Sequence, residues 1–166
     1  MYLSSPSPTH HAIRAVTDER TGQCYPSRPR VGVGVLLVDE SGRVLLTLRD
    51  RPPEAGHWSI VGGKLDFLET LQHCAVRETL EEVGVNIAID TLLCVTDHCL
   101  PAEGQHWVSP AYLARILTGE AKNCEPHKTR EVRWFPPNDL PPNLTMTARN
   151  AIAAYKALWS ASARLP

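Results

Sequence analysis

The sequence has no marked excess of charge of either sign and no long hydrophobic run. Lys and Arg number 17 against 18 Asp and Glu, and the formal net charge is −1. With no basic stripe, DNA and RNA are not expected as partners. No run of about 18 apolar residues occurs, so no helical membrane span is predicted. The opening residues, MYLSSPSPTHHAIR, lack a charged stretch followed by an apolar one, so they do not predict a secretory signal.

Cysteine and histidine are present without the spacing of a metal site. Five cysteines form no C-x-x-C pair, which favours reduced thiols and a cytoplasmic setting. His98 and His106 lie near Cys99 but lack zinc spacing, so they are expected to be structural or solvent-facing. The cysteines are Cys24, Cys74, Cys94, Cys99 and Cys124.

Length and composition indicate one domain with an N-terminal arm. A chain of 166 residues with 43% hydrophobic content has room for one good core. Residues 1–29 are rich in Ser, Pro, Thr and His and are interpreted as a poorly ordered or strapping arm. Neither an internal repeat nor a second domain is visible.

The order of predicted elements is strands, helix, strands, helix. VGVGVLLVDESGRVLLTLR reads as two strands joined by a turn at 40–42, and WSIV as a short strand before two adjacent glycines. Beta-type runs follow at 87–98 and 106–117, where Pro110 suggests a bulge or an edge. EVRWF is a further strand, and a helix is predicted over 145–159. This order favours an α/β fold with a mixed sheet between helices.

An acidic helix is the most informative segment of the chain. Residues 63–85 read GKLDFLETLQHCAVRETLEEVGV, with Glu78, Glu81 and Glu82 near the helix C-terminus. The negative end of the helix dipole lies there, and like charges four residues apart are unfavourable. Arg77 offsets only part of this charge, so a bound cation is expected to offset the rest. The alternative is a solvated acidic face on an ordinary amphipathic helix.

Helical geometry places the three carboxylates together. At about 100° per residue, Glu82 lies near 40° and Glu81 near 300° relative to Glu78, so they share a face roughly 100° wide. An apolar stripe is expected on the opposite face, formed by Val76, Leu80 and Val83.

The ends of this helix carry recognisable signals. Gly84 is a suitable residue to end it. Asp66 with Glu69 fits a capping box at the start, and Thr70 is the alternative N-cap.

The whole segment resembles the Nudix box of the Nudix hydrolases, G-x5-E-x7-R-E-U-x-E-E-x-G-U, where U is a bulky aliphatic residue. Thr79 departs from the pattern at the first U position. Outside the fixed positions, Val61 replaces a common proline and Leu68 a common glycine. The matching residues are Gly63, Glu69, Arg77, Glu78, Glu81, Glu82, Gly84 and Val85.

The resemblance implies a Nudix α/β/α sandwich with a central mixed β-sheet over residues 30–159, followed by a tail at 160–166. It also implies hydrolysis of a pyrophosphate linkage with Mg²⁺, or Mn²⁺, because hard divalent ions bind carboxylate and phosphate oxygens together. Glu78 and Glu82 are the expected direct ligands, and Glu81 is a third ligand or orients the water. Gly62 and Gly63 let a backbone carbonyl approach the metal.

The remaining assignments are by similarity. Arg77 and Glu69 look like a pair that supports the loop and the helix. A general base outside the box is assigned to Glu125 or Glu131, although a surface carboxylate is the simpler interpretation of each. Lys64 lies beside the glycines and is a candidate for a phosphate contact, with a solvated lysine as the alternative.

Substrate identity is the least determined property. The strand layout and EPHK…RWF look like the MutT-type nucleoside triphosphate pyrophosphohydrolases, with ADP-ribose or a nucleotide sugar as the alternative substrate. A non-catalytic Nudix-fold nucleotide-binding module is the alternative class. Small Nudix proteins often pair, so a homodimer is an expectation by analogy. Four aromatic residues are candidates to stack on a base, with core packing as the alternative role: Trp58, Trp107, Trp134 and Phe135.

Overall fold

Nine strands and two helices form over residues 15–17, 24–26, 28–101 and 104–162, which the computed structural model describes. Within the predicted arm, β1 (Ala15–Thr17) pairs antiparallel with β2 (Cys24–Pro26). The rest of the arm up to residue 27 and the end of the chain from 163 lie outside the described residues.

The two strands predicted on either side of a turn are confirmed as β3 (Arg30–Leu37) and β4 (Val44–Arg49), which lie in different sheets. Asp39 fixes the turn, because its carboxylate accepts hydrogen bonds from the backbone N–H groups of Ser41 and Arg43. Gly42 lies at φ 76°, a backbone conformation that favours glycine.

The larger sheet is mixed and contains four strands in the order β6-β3-β8-β7. β6 (Val61–Lys64) runs antiparallel to β3, whereas β8 (Gln105–Thr118) runs parallel to β3 and antiparallel to β7 (Asn86–Leu100). The smaller sheet has β4 between β5 (Trp58–Ser59) and β9 (Thr129–Phe135).

Of the two alternatives for Pro110, a bulge or an edge, the edge was wrong. Pro110 pairs with Val95 inside β8, which has strands on both sides, and the pairing to β3 is interrupted between Val108 and Ala111. The nearby irregularity lies instead in β7, between Leu92 and Cys94. The missing N–H of proline is tolerated because the ladder is already open there.

The two helices pack on opposite faces of the four-stranded sheet, which confirms the predicted layers. Val33, Val35 and Leu37 of β3 pack in the same cluster as α1 (Leu71–Val83), whereas Leu36 packs with α2 (Met146–Ser162). This alternation follows from the two-residue period of a strand. No helix in the described part of the chain is long and apolar enough to cross a bilayer.

The ends of α1 follow the sequence signals, but its apolar face does not. Thr70 is the N-cap and accepts a hydrogen bond from the N–H of His73, and Gly84 ends the helix at φ 73°. Leu80, predicted to lie in the buried stripe, is 47% exposed. The buried side of the helix is formed by Cys74, Ala75, Thr79 and Val83.

Candidate active site

Two adjacent glycines bring β6 against the acidic helix. Gly62 lies at φ 150°, and a Cβ built there would approach the carbonyl oxygen of Val33 to 2.0 Å. A Cβ on Gly63 would lie 2.2 Å from the carboxylate of Glu78. Only residues without side chains therefore allow the carboxylate of Glu78 to lie against this strand.

Arg77 is the centre of the ionic contacts on α1. Its Nε and one terminal nitrogen bind the two oxygens of Glu69 at 2.8 and 2.9 Å. Its other terminal nitrogen donates to Glu78 at 2.7 Å and to Glu81 at 3.2 Å. Hydrogen bonds from Arg77 lower the pKa of Glu69 to about 2. The structure thus brings together four of the predicted site residues and ties the loop before α1 to the helix.

Glu82 lies on the other side of this cluster. One oxygen of its carboxylate accepts a hydrogen bond from the N–H of Gly62 at 3.1 Å. Burial raises the pKa of Glu82 to about 7, and the nearby charges of Glu78 and Glu125 act in the same direction. Within the described residues, no basic side chain lies within 4 Å of this carboxylate. The ionised form of Glu82 is costly in this buried position, and a bound cation would offset that cost.

Glu78 and Glu81 differ in environment. The Glu78 side chain is 14% exposed, and burial raises the pKa of its carboxyl group. The Glu81 side chain is 51% exposed and contacts Arg77. Glu78 and Glu82 are thus the two sheltered carboxylates, and Glu81 lies at the rim.

A cavity of about 210 Å³ borders Glu82 and Gly62, and it is lined on its other side by Arg49, Arg51 and Lys128. These three basic residues were missed by sequence reasoning. Arg49 ends β4, Arg51 follows it, and Lys128 directly precedes β9. Because β4 and β9 are antiparallel neighbours, these positions meet at one end of the smaller sheet. The sequence feature that could have indicated them is the presence of basic residues at the ends of two strands that pair with each other.

The two candidate general bases, Glu125 and Glu131, have different neighbours. Glu125 accepts a hydrogen bond from Lys128 at 2.6 Å, and its charge acts on Glu82. Neither residue lines the cavity itself, but Glu125 contacts Lys128 of its wall, whereas Glu131 pairs with Arg133 on β9. The Lys64 backbone carbonyl accepts from Arg77, and the residue is exposed beside a second cavity.

The four aromatic candidates for base stacking also lie in different environments. Trp58 is buried and packs edge-on against Phe135, with ring centroids 4.8 Å apart. Trp134 packs against the core cluster beneath α1. Trp107 lines the second cavity, which has a volume of about 190 Å³ and shares Arg49, Ile60 and Gly62 with the first.

The donor set fits a hard divalent cation. Carboxylate and backbone carbonyl oxygens are the ligands such ions prefer, and buried Glu82 forms no direct ion pair within the described residues. Among the described side chains, no three acidic, histidine or cysteine groups already form a cage for an ion. Glu78 and Glu81 both accept hydrogen bonds from Arg77, so a cation would compete with this arginine for Glu78.

The fold and this site define a Nudix-type pyrophosphohydrolase. A model of the NUDIX domain matches residues 28–155, and the chain belongs to the Nudix family. Members of the family generally use divalent cations and act on small nucleotide substrates.

Individual relatives agree with this membership. The crystal structure of a MutT NUDIX hydrolase from Burkholderia pseudomallei is 45% identical, with a TM-score of 0.74 over 76% of this chain and 98% of that one. An oxidized purine nucleoside triphosphate hydrolase from Danio rerio is 32% identical over 64% of this chain and 67% of its own length. The NAD-capped RNA hydrolase NudC of Pseudomonas putida is 29% identical over 82% of this chain, which spans about half (48%) of that relative.

Arg77→Lys is expected to lower the melting temperature by roughly 5 °C and to weaken divalent-cation binding about tenfold. A lysine cannot bind both oxygens of Glu69 while also reaching Glu78. Thermal unfolding and cation titration measure the two effects. The matched control is Arg130→Lys, because Arg130 makes an exposed pair with Asp50 and its loss is expected to change little. Equal behaviour of the two variants would contradict the supporting role of Arg77.

Proposed function

We propose that the protein hydrolyses a nucleoside or deoxynucleoside triphosphate to the monophosphate and pyrophosphate, with Mg²⁺ as its cation and Mn²⁺ as a substitute. The observation that carries this proposal is the shared cavity of Glu82, Arg49, Arg51 and Lys128. A polyphosphate needs both kinds of group: cationic side chains for its oxygens, and carboxylates for the divalent ion that accompanies it.

The proposed ligands of the cation are the carboxylates of Glu78 and Glu82 with a backbone carbonyl of Gly62 or Gly63. Glu81, at the rim, is a third ligand or a group that orients the attacking water. When bound, Mg²⁺ neutralises phosphate charge and lowers the pKa of a coordinated water.

The chain's own groups position the substrate and move the proton. Arg49, Arg51 and Lys128 hold phosphate oxygens, and Lys64 is proposed to do so from the neighbouring cavity. The water oxygen bonds to one phosphorus, while the bridging oxygen leaves with its electron pair on the other phosphate group. Glu125 accepts the proton of the water, because it is the candidate base that lies beside Glu82 and Lys128.

An ADP-ribose or nucleotide-sugar pyrophosphatase is the alternative proposal. The name of the Pseudomonas putida relative, an NAD-capped RNA hydrolase, keeps a substrate other than a free triphosphate in consideration. The Danio rerio relative, named for nucleoside triphosphates, favours the first proposal. We further propose that the protein acts on free nucleotides in the cytoplasm rather than on nucleic acids or membranes, and that it pairs as a homodimer.

A nucleotide panel with product analysis tests the proposal. The panel contains the four deoxynucleoside triphosphates, ADP-ribose and a nucleotide sugar, each with Mg²⁺, with Mn²⁺ and with a chelator. The expected products from a triphosphate are the monophosphate and pyrophosphate, with no turnover in chelator. Release of single phosphates with a diphosphate product would contradict the cleavage position. Hydrolysis of ADP-ribose or of the nucleotide sugar, without hydrolysis of any triphosphate, would support the alternative proposal.

A further inference from the structure

The second cavity lies on the face of the larger sheet that carries α2, and its floor has few side chains. Gly32 and Gly34 of β3 both face this side. A Cβ on Gly32 would lie 3.2 Å from the carbonyl oxygen of Gly63 and 3.5 Å from Trp107, and one on Gly34 would meet the side chain of Ile60 at 2.5 Å. The missing side chains allow Ile60 and the backbone of Gly63 to pack closely on β3, and the room for a flat group is the cavity of about 190 Å³ that these residues line. The cavity adjoins the basic cavity beside Glu82, with which it shares three residues.

His98 borders this space with an unsatisfied nitrogen. The residue is 6% exposed, and its buried Nε2 has no hydrogen-bond partner among the described residues. Its cross-strand neighbour is Trp107, so the imidazole and the indole lie on the same face of the sheet. A buried polar nitrogen without a partner costs free energy and is found where a ligand or water completes it.

Glu54 presents a carboxylate oxygen next to this nitrogen. Its Oε2 lies 3.5 Å from Nε2 of His98 and accepts no hydrogen bond within the described part of the chain. Its Oε1 accepts from the backbone N–H of Met146 at 3.2 Å, which fixes the carboxylate to the start of α2. The backbone of Glu54 lies at φ 57°, a conformation that non-glycine residues seldom adopt and that occurs at binding sites.

We propose that His98 and Glu54 together read the hydrogen-bonding edge of a nucleobase, an inference that rests on the proposed nucleotide hydrolysis. An imidazole nitrogen beside a carboxylate oxygen offers a donor next to an acceptor. A base edge with adjacent polar groups, such as an N–H beside a carbonyl, satisfies both. A ring without exocyclic groups leaves the carboxylate unpaired in a largely buried place.

The aromatic wall of the cavity supports a flat ligand. Trp107 lines the space, and the guanidinium carbon of Arg30 lies 5.3 Å from the centre of its ring. The indole N–H of Trp107 donates to Gln105 at 2.8 Å, so the ring is held from two directions. A fixed aromatic ring beside a polar pair orients a base for its edge to be read.

The experiment compares dGTP with the deoxynucleoside triphosphate of unsubstituted purine, which lacks the exocyclic groups. Wild-type protein is expected to prefer dGTP in kcat/KM by about 100-fold or more, because sites built to bind polar groups reject analogues without them. His98→Phe and Glu54→Gln are each expected to reduce this ratio at least about tenfold. Glutamine keeps an oxygen for the N–H of Met146, so the start of α2 is preserved.

His106→Phe is the matched control. His106 also has a buried Nε2 that finds no hydrogen-bond partner in the described part of the chain, but it precedes Trp107 on β8 and therefore faces the other side of the sheet. The ratio is expected to stay at the wild-type value in this variant. The proposal would be overturned if the His98 and Glu54 variants kept the wild-type ratio of kcat/KM for dGTP over the analogue. It would also be overturned if the His106 variant changed this ratio as much as they do.

A binding measurement separates this inference from the proposed function. If the wild type hydrolyses no triphosphate, the proposed function fails, and the pair is tested by imidazole ¹⁵N NMR. The His98 signals are expected to shift with dGMP and to stay in place with 2-deoxyribose 5-phosphate, which has no base. If the His98 signals do not shift with dGMP, or shift equally with both compounds, this pair does not recognise the base and the inference is wrong.

Discussion

Replacing Glu82 with glutamine is expected to lower the rate of nucleotide hydrolysis by about 100-fold or more, while making the metal-free fold more stable at pH 8. Loss of a group that only orients a metal ligand already costs 10–100-fold as a rule, so loss of a direct ligand is expected to cost more. Glutamine keeps an oxygen for the N–H of Gly62 but cannot carry the charge that binds the cation.

The gain in stability follows from the direction of the pKa shift. Burial raises the pKa of Glu82 from 4.5 to about 7, so the folded state holds this proton more tightly than the unfolded state. The contribution of Glu82 to metal-free stability is therefore most favourable below pH 4.5 and declines as the pH rises to about 7, by roughly 3 kcal/mol at most. A neutral glutamine at position 82 removes this loss.

Unfolding in denaturant with a chelator, at pH 5 and pH 8, measures the linkage. Added Mg²⁺ is expected to stabilise the wild type more at pH 8 than at pH 5, because the ion binds the charged carboxylate. Glu131→Gln is the control, since Glu131 pairs with Arg133 on β9 and does not line the cavity beside Glu82. A Glu82→Gln variant with full activity, or with the pH dependence of the wild type, would contradict the ligand assignment.

Alanine at Gly62 is expected to reduce mainly the stability of the fold, whereas alanine at Gly63 is expected to reduce mainly the activity. Gly62→Ala is expected to destabilise the protein by about 4 kcal/mol or more, because its Cβ would lie 2.0 Å from the backbone oxygen of Val33. Gly63→Ala meets only the end of the Glu78 side chain, which can move. It is expected to leave stability within about 1 kcal/mol and to lower activity tenfold or more.

Gly42→Ala supplies the control for backbone strain. Gly42 also has positive φ, but a Cβ there meets nothing within 4 Å, so only the conformational cost of about 1–2 kcal/mol is expected. Urea unfolding and hydrolysis assays on the three variants check the order. Equal losses of stability for Gly42→Ala and Gly62→Ala would contradict the steric argument, and full activity of Gly63→Ala would contradict the placement of Glu78.

The helix of the site could be predicted because its signals are local. Thr70, Gly84 and the spacing of the glutamates depend on residues within a few positions of one another. Burial on the far side of the helix was less predictable, since it depends on which neighbours the helix meets. Leu80 is apolar but half exposed, whereas Thr79 is buried because its hydroxyl donates to the carbonyl of Ala75.

Long-range neighbours were beyond reach of the sequence patterns. Arg49 and Lys128 lie about 80 positions apart and meet through the pairing of two strands, which no local period encodes. His98 was treated as structural or solvent-facing because its neighbours along the chain lack metal spacing. The partner that gives it a role, Glu54, lies on a loop more than 40 positions earlier.

Arg77 acts in the metal-free protein as an internal counter-ion for Glu78 and Glu81. If Glu78 ligates a cation as proposed, binding would be an exchange, in which the ion would replace the guanidinium of Arg77 at this carboxylate. The arginine that supports the loop thereby also limits the charge repulsion between Glu78 and Glu81 before any metal binds.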